Sequence, residues 1–330
     1  MNIQYIKRQS DICMKAIMQI DFNSMPISEY NKQYIDSLLP NLQYYFQIYS
    51  AAIKDLLPAK EGGVLIVDYG GGHGFFSLFL KCLGFDVVYC DYNPLSVHTA
   101  MLIKQELGFG PDHIVEGDSA ALLAYCSANK LKVQYLAATD LIEHVYDLNI
   151  FFSDLSKLNP HLEMIFTTGS NPCNSTKSAR LRKMMLEMER EYFLPMRQEY
   201  ISKKNTNLNS DDILTIAKFT RGLTYEDIDK YIAIYAEDSR LPVATKDPYN
   251  TCDPASGNWM ERILPLEAYR QILGQYGFEV QFKKGFYNEQ RSNIFLSILV
   301  KALNIGIGIL PFYGLNFAPY LVLLIKPLRR

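Results

Sequence analysis

Four glycines and a histidine interrupt an apolar stretch about a fifth of the way along the chain, in VLIVDYGGGHGFFSLFL at residues 64–80. Asp68 precedes three alternating glycines, Gly70, Gly72 and Gly74. A strand that runs into glycines and then into a helix offers bare backbone and unpaired N–H groups, which favour a nucleotide or an anion. The motif therefore indicates a site for a nucleotide-like ligand.

Acids recur where the following strands should end. Asp91 closes DVVYCD and is followed by Tyr92; Asp118 and Ser119 follow HIVEG; Asp140 closes LAATD. The carboxyl ends of strands in an open α/β sheet meet at one ligand-binding edge, so we expect these side chains near one another. Asp91 would accept ribose hydroxyls, a role that dinucleotide enzymes also use. Asp118 suits the cap of the next helix equally well.

A histidine follows the last of these acids by one turn, in the segment Asp140 to His144. The unperturbed pKa of an imidazole is about 6.5, which makes His144 the best candidate for a general base. Packing and hydrogen bonding beside a ligand is the alternative interpretation of His144. His73, within the glycine run, could contact a ligand or point to solvent.

Alternating apolar strands and helices surround these residues. This pattern predicts an α/β fold with a doubly wound, mostly parallel seven-stranded sheet and helices on both faces. The predicted strands cover 64–69, 86–91, 113–118, 133–140, 163–169, 278–283 and 319–325.

Two helical regions lie outside this alternation. Residues 1–60 form a predicted N-terminal helical segment, and the core covers 61–171 and 259–330. Between them, 172–258 is rich in charge and too long for a simple loop. We expect a helical insertion or lid there that forms the substrate side.

The C-terminal region 295–325 is strongly apolar. Lys301, Asn304 and several glycines and prolines divide it, which favours a helix, a loop and a strand in the core over a membrane span of about 20 residues. A peripheral contact with a membrane surface remains the alternative.

Charge and cysteine content exclude some classes. A net charge of -2 and a pI near 6.2 leave no basic footprint, so no nucleic-acid partner is expected. Six scattered cysteines without a CxxC pair predict no structural metal site, and reduced thiols in a cytoplasmic protein are expected. The sequence predicts no oligomeric state.

The dinucleotide fingerprint G-x-G-x-x-G fails in both registers, because Phe75 and Ser77 stand where a third glycine is needed. The pattern D-x-G-x-G-x-G, with D-x-x-E-H-V starting at Asp140, resembles the class I S-adenosylmethionine-dependent methyltransferases. The resemblance covers about residues 64–170 and the last helix and two strands.

That resemblance implies S-adenosyl-L-methionine as cofactor and direct displacement at its methyl carbon. No metal cluster like that of catechol methylation is evident in the sequence, and His144 and Asp140 are the catalytic candidates. The implied cofactor-binding residues are Asp68, Gly70, Gly72, Gly74, Asp91, Tyr92, Asp118, Ser119 and Asp140.

The acceptor is less defined. A tyrosine-rich insertion followed by Asn258 and Trp259 favours a small molecule or a glycan or lipid-linked acceptor, methylated at oxygen. Two other classes stay open: an NAD-dependent oxidoreductase, and a non-catalytic methyltransferase-like scaffold that binds a partner.

Overall fold

Seven strands form one sheet in the order β3-β2-β1-β4-β5-β7-β6 in the computed structural model, which describes residues 2–56, 63–243 and 247–328. β1 to β5 are parallel, and β7 is antiparallel to both of its neighbours, β5 and β6. The predicted seven-stranded, mostly parallel sheet is confirmed. Its strands are β1 Leu65–Tyr69, β2 Asp86–Asp91, β3 His113–Glu116, β4 Tyr135–Thr139, β5 Glu163–Thr168, β6 Phe278–Lys284 and β7 Leu321–Pro327.

Helices cover both faces of this sheet. Successive residues of a strand point to opposite faces, so Ile66 belongs to the core under the N-terminal helices while Val67 belongs to the core on the other side. The helices are α1 Ile3–Ile17, α2 Glu29–Leu38, α3 Leu42–Leu56, α4 Phe75–Cys82, α5 Pro94–Leu107, α6 Ser119–Ala128, α7 Leu148–Leu158, α8 Ser175–Met188, α9 Leu194–Lys204, α10 Ser210–Phe219, α11 Tyr225–Asp238, α12 Leu266–Gln275 and α13 Ile294–Ile309.

The N-terminal helices share one hydrophobic core with the sheet. Phe46 of α3 packs edge-on against Phe79 of α4, with ring centroids 5.4 Å apart. Asn31 of α2 donates to the Leu95 carbonyl and the Thr99 hydroxyl of α5, both at 2.8 Å. These contacts hold α3 against α4 and α2 against α5. The boundary predicted between residues 60 and 61 lies outside the described residues.

The region after β5 is helical, with α9 to α11 around a small core of their own, while α8 packs separately with Ile263. The following loop folds back on itself through an isolated antiparallel bridge between Cys252 and Trp259. Treating 172–258 as a separate insertion remains a prediction.

The expectation of a buried C-terminal helix is wrong. β7 is buried, but α13 is exposed along nearly its whole length, and only Ile307 within it is buried. Both faces of the sheet are already covered by other helices, which leaves α13 no apolar surface to cover. Among the described residues, no helix is long and apolar enough to cross a bilayer.

One acid lies inside the buried part of β1 and ties that strand to α4. Asp68 is 2% exposed and accepts a hydrogen bond from the Ser77 hydroxyl at 2.6 Å. Burial raises the pKa of this carboxyl to about 7, although the Ser77 hydrogen bond opposes the shift. The neutral acid is therefore favoured in the folded, ligand-free protein below neutral pH.

We expect Asp68 to make the protein less stable as the pH rises. Its usual pKa is 3.8, so between about pH 4 and pH 7 the folded state holds a proton that the unfolded chain has lost. Asp68→Asn should remove this pH dependence. The difference in unfolding free energy between the variant and the parent should become more favourable to the variant by on the order of 3 kcal/mol from pH 4 to pH 8. Urea unfolding of the ligand-free protein at both pH values measures it.

Ser77→Ala serves as the control because it removes the hydrogen bond and keeps the acid. It should leave the decline with pH in place. Equal pH profiles for the parent and Asp68→Asn would contradict the assignment.

Candidate cofactor and acceptor site

The glycine turn between β1 and α4 is held by the neighbouring strand β2. The N–H groups of Gly70 and Gly71 donate to the Cys90 carbonyl at 2.7 and 3.3 Å. The Tyr89 hydroxyl donates to the Gly72 carbonyl at 2.6 Å. Each of these hydrogen bonds joins the turn to β2, so the conformation of the turn is held without a ligand.

The alternation of the glycines has a conformational cause. Gly70, Gly72 and Gly74 have φ of 69°, 53° and 78°, in the left-handed region that side chains disfavour. Gly71, between them, is needed for space, since a Cβ there would lie 2.6 Å from the Tyr89 ring.

One of these glycines faces open space. A Cβ on Gly70 would lie 2.4 Å from Leu141, whereas one on Gly72 would have no atom within 4 Å. The backbone at Gly72 is thus the part of the turn that a ligand can approach closely.

Asp91, at the end of β2, faces this turn. One carboxylate oxygen accepts the Gly72 N–H and the other the Asn93 N–H, both at 2.9 Å. Each oxygen keeps a second lone pair for a further donor. Burial raises the pKa of this carboxyl above its usual value. The arrangement can accept two hydroxyls side by side.

Tyr92 is exposed beside Asp91, and its hydroxyl accepts a hydrogen bond from the Asn258 amide. The loop that leaves the helical region therefore reaches across to β2. This contact places Asn258 against the predicted nucleotide end of the site.

The acid and serine after β3 have structural contacts. Asp118 caps α6 by accepting the Ala121 N–H at 3.0 Å. The Ser119 hydroxyl is buried and donates to Asp154 at 2.9 Å. The hydroxyl of Ser119 is therefore directed into the core, and Asp118 retains one uncommitted oxygen.

Asp140 directly follows β4 in a strained conformation, with φ of 50°. Its N–H donates to the Thr167 carbonyl at 3.0 Å, which holds the turn in place. The side chain is exposed to solvent. Desolvation by the surrounding protein, and then the nearby Glu261, raise the pKa of this carboxyl, while Lys177 and His144 oppose the rise. A non-glycine residue held at positive φ marks a position that the surrounding structure enforces.

Two glutamates share this cluster with Asp140. Glu143 is buried; one oxygen accepts the Gly169 N–H at 2.9 Å and the other has no hydrogen-bond partner among the described residues. Burial, then Asp140 and Glu261, raise its pKa well above the usual value. Glu261, also at positive φ (55°), accepts the Ser170 hydroxyl at 3.2 Å.

Lys177 of α8 is the cation near these acids. Its ammonium donates to the Pro319 carbonyl at 2.5 Å and lies 3.3 Å from the position that a Cβ of Gly169 would take. Neither Lys177 nor Glu261 was predicted from the sequence, since both lie outside the strand-end motifs.

His144 exchanges hydrogen bonds with Trp259. Its Nδ1 lies 2.8 Å from the Trp259 carbonyl, and the Trp259 N–H donates to the His144 carbonyl at 3.2 Å. A carbonyl only accepts, so Nδ1 carries the proton. In the neutral ring, Nε2 then keeps its lone pair.

Trp259 is itself held from several sides. Its indole N–H donates to the Tyr146 carbonyl at 3.0 Å, and the Arg262 guanidinium lies 4.3 Å from the ring centroid. A side chain at Gly222 would collide with the indole, at 2.8 Å. The group that orients His144 is therefore fixed by packing as well as by hydrogen bonds.

His73 of the glycine turn is buried under the N-terminal helices. Its ring centroid lies 4.5 Å from that of Tyr34, and its Nε2 has no hydrogen-bond partner among the described residues. Burial lowers the pKa of His73 to about 4, so the ring is neutral at physiological pH. The expectation of contact with solvent is wrong for this side chain.

Tyrosines from α2 and α3 interact with the acids around Asp140, which we call the acidic end of the site. Burial and then the Asp140 carboxylate raise the pKa of Tyr34 to about 12, and the same two causes raise the pKa of Tyr45. Both hydroxyls are thus neutral donors near Asp140. The sequence did not predict their role, because the pairing of α2 and α3 with the sheet is a tertiary contact.

The residues present fit a small organic ligand with a diol at one end and a cationic group at the other. The open backbone at Gly72 and the lone pairs of Asp91 suit the diol, and the acids around Asp140 suit the cation. Among the described residues, no cluster of three or more His, Cys, Asp or Glu has the arrangement of a metal site.

No protein-family model matches the chain, and no curated protein sequence matches it either. Solved structures do resemble it. One is an S-adenosylmethionine-dependent methyltransferase from Archaeoglobus fulgidus, 15% identical, with a TM-score of 0.40, covering 85% of this chain and 93% of that one.

Two further structures are similar at the same level. A methyltransferase from Mesorhizobium loti is 12% identical with a TM-score of 0.41, covering 85% of this chain and 96% of that one. Geranyl diphosphate C-methyltransferase from Streptomyces coelicolor, solved with S-adenosyl-L-homocysteine, is 12% identical with a TM-score of 0.41, covering 92% and 86%. These three structures show only what the chain is similar to, and its sheet order is a property of its own structure.

Proposed function

We propose that this protein is an S-adenosylmethionine-dependent methyltransferase. The observation that carries the proposal is the pairing, along one edge of the sheet, of an open glycine backbone at Gly72 and Asp91 with the acidic end at Asp140. The first suits the adenosine part of the cofactor, and the second its sulfonium and methionine end.

The cofactor's parts can be assigned to residues on this basis. Asp91 would take the ribose hydroxyls, Tyr92 would lie against adenine, and Asp118 would offer its uncommitted oxygen to the adenine amino group. Ser119 would contribute through its backbone, because its hydroxyl is bonded to Asp154. Gly70, Gly74 and Asp68 would act by shaping the turn.

Bound there, S-adenosylmethionine would supply an electrophilic methyl carbon. The chain's own contribution is to align an acceptor and to receive its proton. Alignment alone can contribute about 7–11 kcal/mol in well-oriented reactions. The rigid turn and the enforced strand end at Asp140 are suited to that task.

His144 is the base in this proposal. The Trp259 carbonyl fixes the proton on Nδ1, which leaves Nε2 to accept a proton from the acceptor. Asp140 lies within electrostatic reach of the ring and would stabilise the imidazolium that forms. Positioned bases of this kind typically contribute about 10²–10⁴ in rate.

The acceptor is proposed to be a small molecule, or a glycan or lipid-linked compound, methylated at oxygen. Neutral tyrosine hydroxyls near Asp140 would hold such a polar group. A nitrogen acceptor is the second candidate, because three carboxyls, those of Asp140, Glu143 and Glu261, meet near two groups of opposite charge, Lys177 and His144. Carboxylates would attract an amine into this space.

The sheet order weighs against an NAD-dependent oxidoreductase. The dinucleotide fold has the strand order 3-2-1-4-5-6, whereas here an antiparallel strand lies between β5 and β6. A non-catalytic scaffold is also disfavoured, because binding a partner requires neither a lone pair on His144 Nε2 nor a strained backbone at Asp140.

We expect micromolar binding of S-adenosylhomocysteine by calorimetry and no heat with NAD. Gly72→Ala should weaken that binding by about tenfold or more, because its methyl group would enter the open space and its φ is strained. Gly108→Ala is the matched control, since Gly108 also has positive φ (70°) and open surroundings but ends α5.

Both variants should lose about 1–2 kcal/mol of unfolding free energy, because alanine is strained at positive φ. Only Gly72→Ala should bind S-adenosylhomocysteine more weakly. Binding of NAD alone would overturn the proposal. Binding of neither ligand would favour the scaffold.

The tautomer of His144 tests its role as base without an identified acceptor. Nitrogen–proton correlation spectra of ¹⁵N-histidine-labelled protein should show Nδ1 protonated and Nε2 bare in the neutral ring. Assignment comes from loss of the signal in His144→Gln. A proton on Nε2 would leave no lone pair for the acceptor and would rule His144 out as the base.

A further inference from the structure

The helix α13 and the turn that follows it form an exposed apolar surface, which we call the α13 surface. At 16 residues, α13 is about 24 Å long. A surface of this kind on a protein marks a place where something apolar binds. Its large exposed side chains are Ile294, Phe295, Leu296, Ile298, Leu299, Leu303, Ile305, Ile309, Leu310, Phe312, Tyr313 and Phe317.

The polar face of α13 points inward, the reverse of an ordinary surface helix. The Asn304 side chain accepts the Tyr287 N–H at 2.8 Å and donates to the Tyr287 carbonyl at 2.9 Å. The Ser297 hydroxyl accepts the Arg291 N–H at 3.2 Å. Because these bonds fix the rotation of the helix, its apolar side is held outward.

Cations outnumber acids around the α13 surface, where Glu289 is an acid in contact with the helix and accepts the Asn304 amide at 3.0 Å. Residues 290–330 contain no Asp or Glu. The helix C-terminus is capped by the Lys284 ammonium, which donates to the Gly308 and Leu310 carbonyls at 2.9 and 2.6 Å. The cations of the segment are Arg291, Lys301, Lys326, Arg329 and Arg330, the last two lying outside the described residues.

Both ends of this segment are fastened to the candidate site. Before α13, the Phe286 carbonyl accepts the Tyr44 hydroxyl of α3 at 2.7 Å. After α13, the Leu315 and Ala318 carbonyls accept the Asn171 amide at 2.8 and 2.9 Å, close to the end of β5. The α13 surface therefore adjoins the acceptor side of the sheet.

We propose that the α13 surface lies in the interface of an anionic lipid membrane, with α13 parallel to the bilayer plane. Apolar side chains would enter the acyl boundary, and the exposed cations Arg291 and Lys301 would meet lipid phosphates and carboxylates. Tyr313, exposed at the C-terminal end of the segment, suits the headgroup level. The proposal concerns location and holds whether or not the proposed methyl transfer is correct.

The charge pattern favours lipid over a second copy of the chain. Two α13 surfaces brought together would bring cations together, and the acid beside α13, Glu289, already accepts the Asn304 amide.

Sedimentation of the full-length protein with vesicles tests the proposal. We expect binding to phosphatidylcholine vesicles containing about 30 mol% phosphatidylserine and about tenfold weaker binding to pure phosphatidylcholine. Ile298→Glu combined with Ile305→Glu should reduce binding to the anionic vesicles by at least about tenfold.

The control is Ile150→Glu combined with Met101→Glu, on α7 and α5. Ile150 is 62% exposed and Ile298 is 60% exposed, so the two double variants alter similarly placed side chains. Circular dichroism and calorimetry with S-adenosylhomocysteine establish that both remain folded, whatever the vesicle result.

Loss of vesicle binding in the α13 variant alone supports the proposal. No binding of the parent to anionic vesicles overturns it, as does equal binding by both variants. A dimer in sedimentation velocity that the α13 variant abolishes, without vesicle binding, would assign the surface to a second copy instead.

Discussion

The hydrogen bonds between the glycine turn and β2 are the constraint on which the rest of the site depends. Tyr89, Cys90 and Asp91 are consecutive on β2, and each bonds the backbone of the turn through a hydroxyl, a carbonyl or a carboxylate. They can do so only because β1 and β2 are parallel neighbours in register, with Tyr69 opposite Cys90. A turn held in this way needs positive φ at several positions, and glycine is the residue that adopts positive φ without strain.

The acidic end of the site is built differently, from strained backbone and buried charge. Asp140 and Glu261 come from distant parts of the chain, both adopt positive φ, and each raises the pKa of Glu143. Backbone strain typically costs about 1–3 kcal/mol per residue and is retained where the surroundings enforce it. Holding several carboxyls together is unfavourable in the ligand-free protein, and a cationic ligand would relieve it.

The sequence predicted what depends on local pattern. Strand–helix alternation, the alternating glycines and the acids at strand ends carry their own signals, and Asp91 and Asp140 lie where they were expected. Glu261, Lys177 and Tyr34 reach the site through tertiary contacts that no short motif encodes. The exposure of α13 was missed for the same reason. Its composition indicates apolar surroundings, but only the tertiary structure shows that other helices already cover both faces of the sheet and leave α13 exposed.

A crystal structure with S-adenosylhomocysteine tests the central claim most directly. The account predicts the ribose hydroxyls on Asp91, the backbone of Gly72 against the ligand, and the sulfur facing Asp140 and His144. A ligand bound elsewhere, or with its sulfur turned away from Asp140, would contradict the account of this edge of the sheet as a methyl-transfer site.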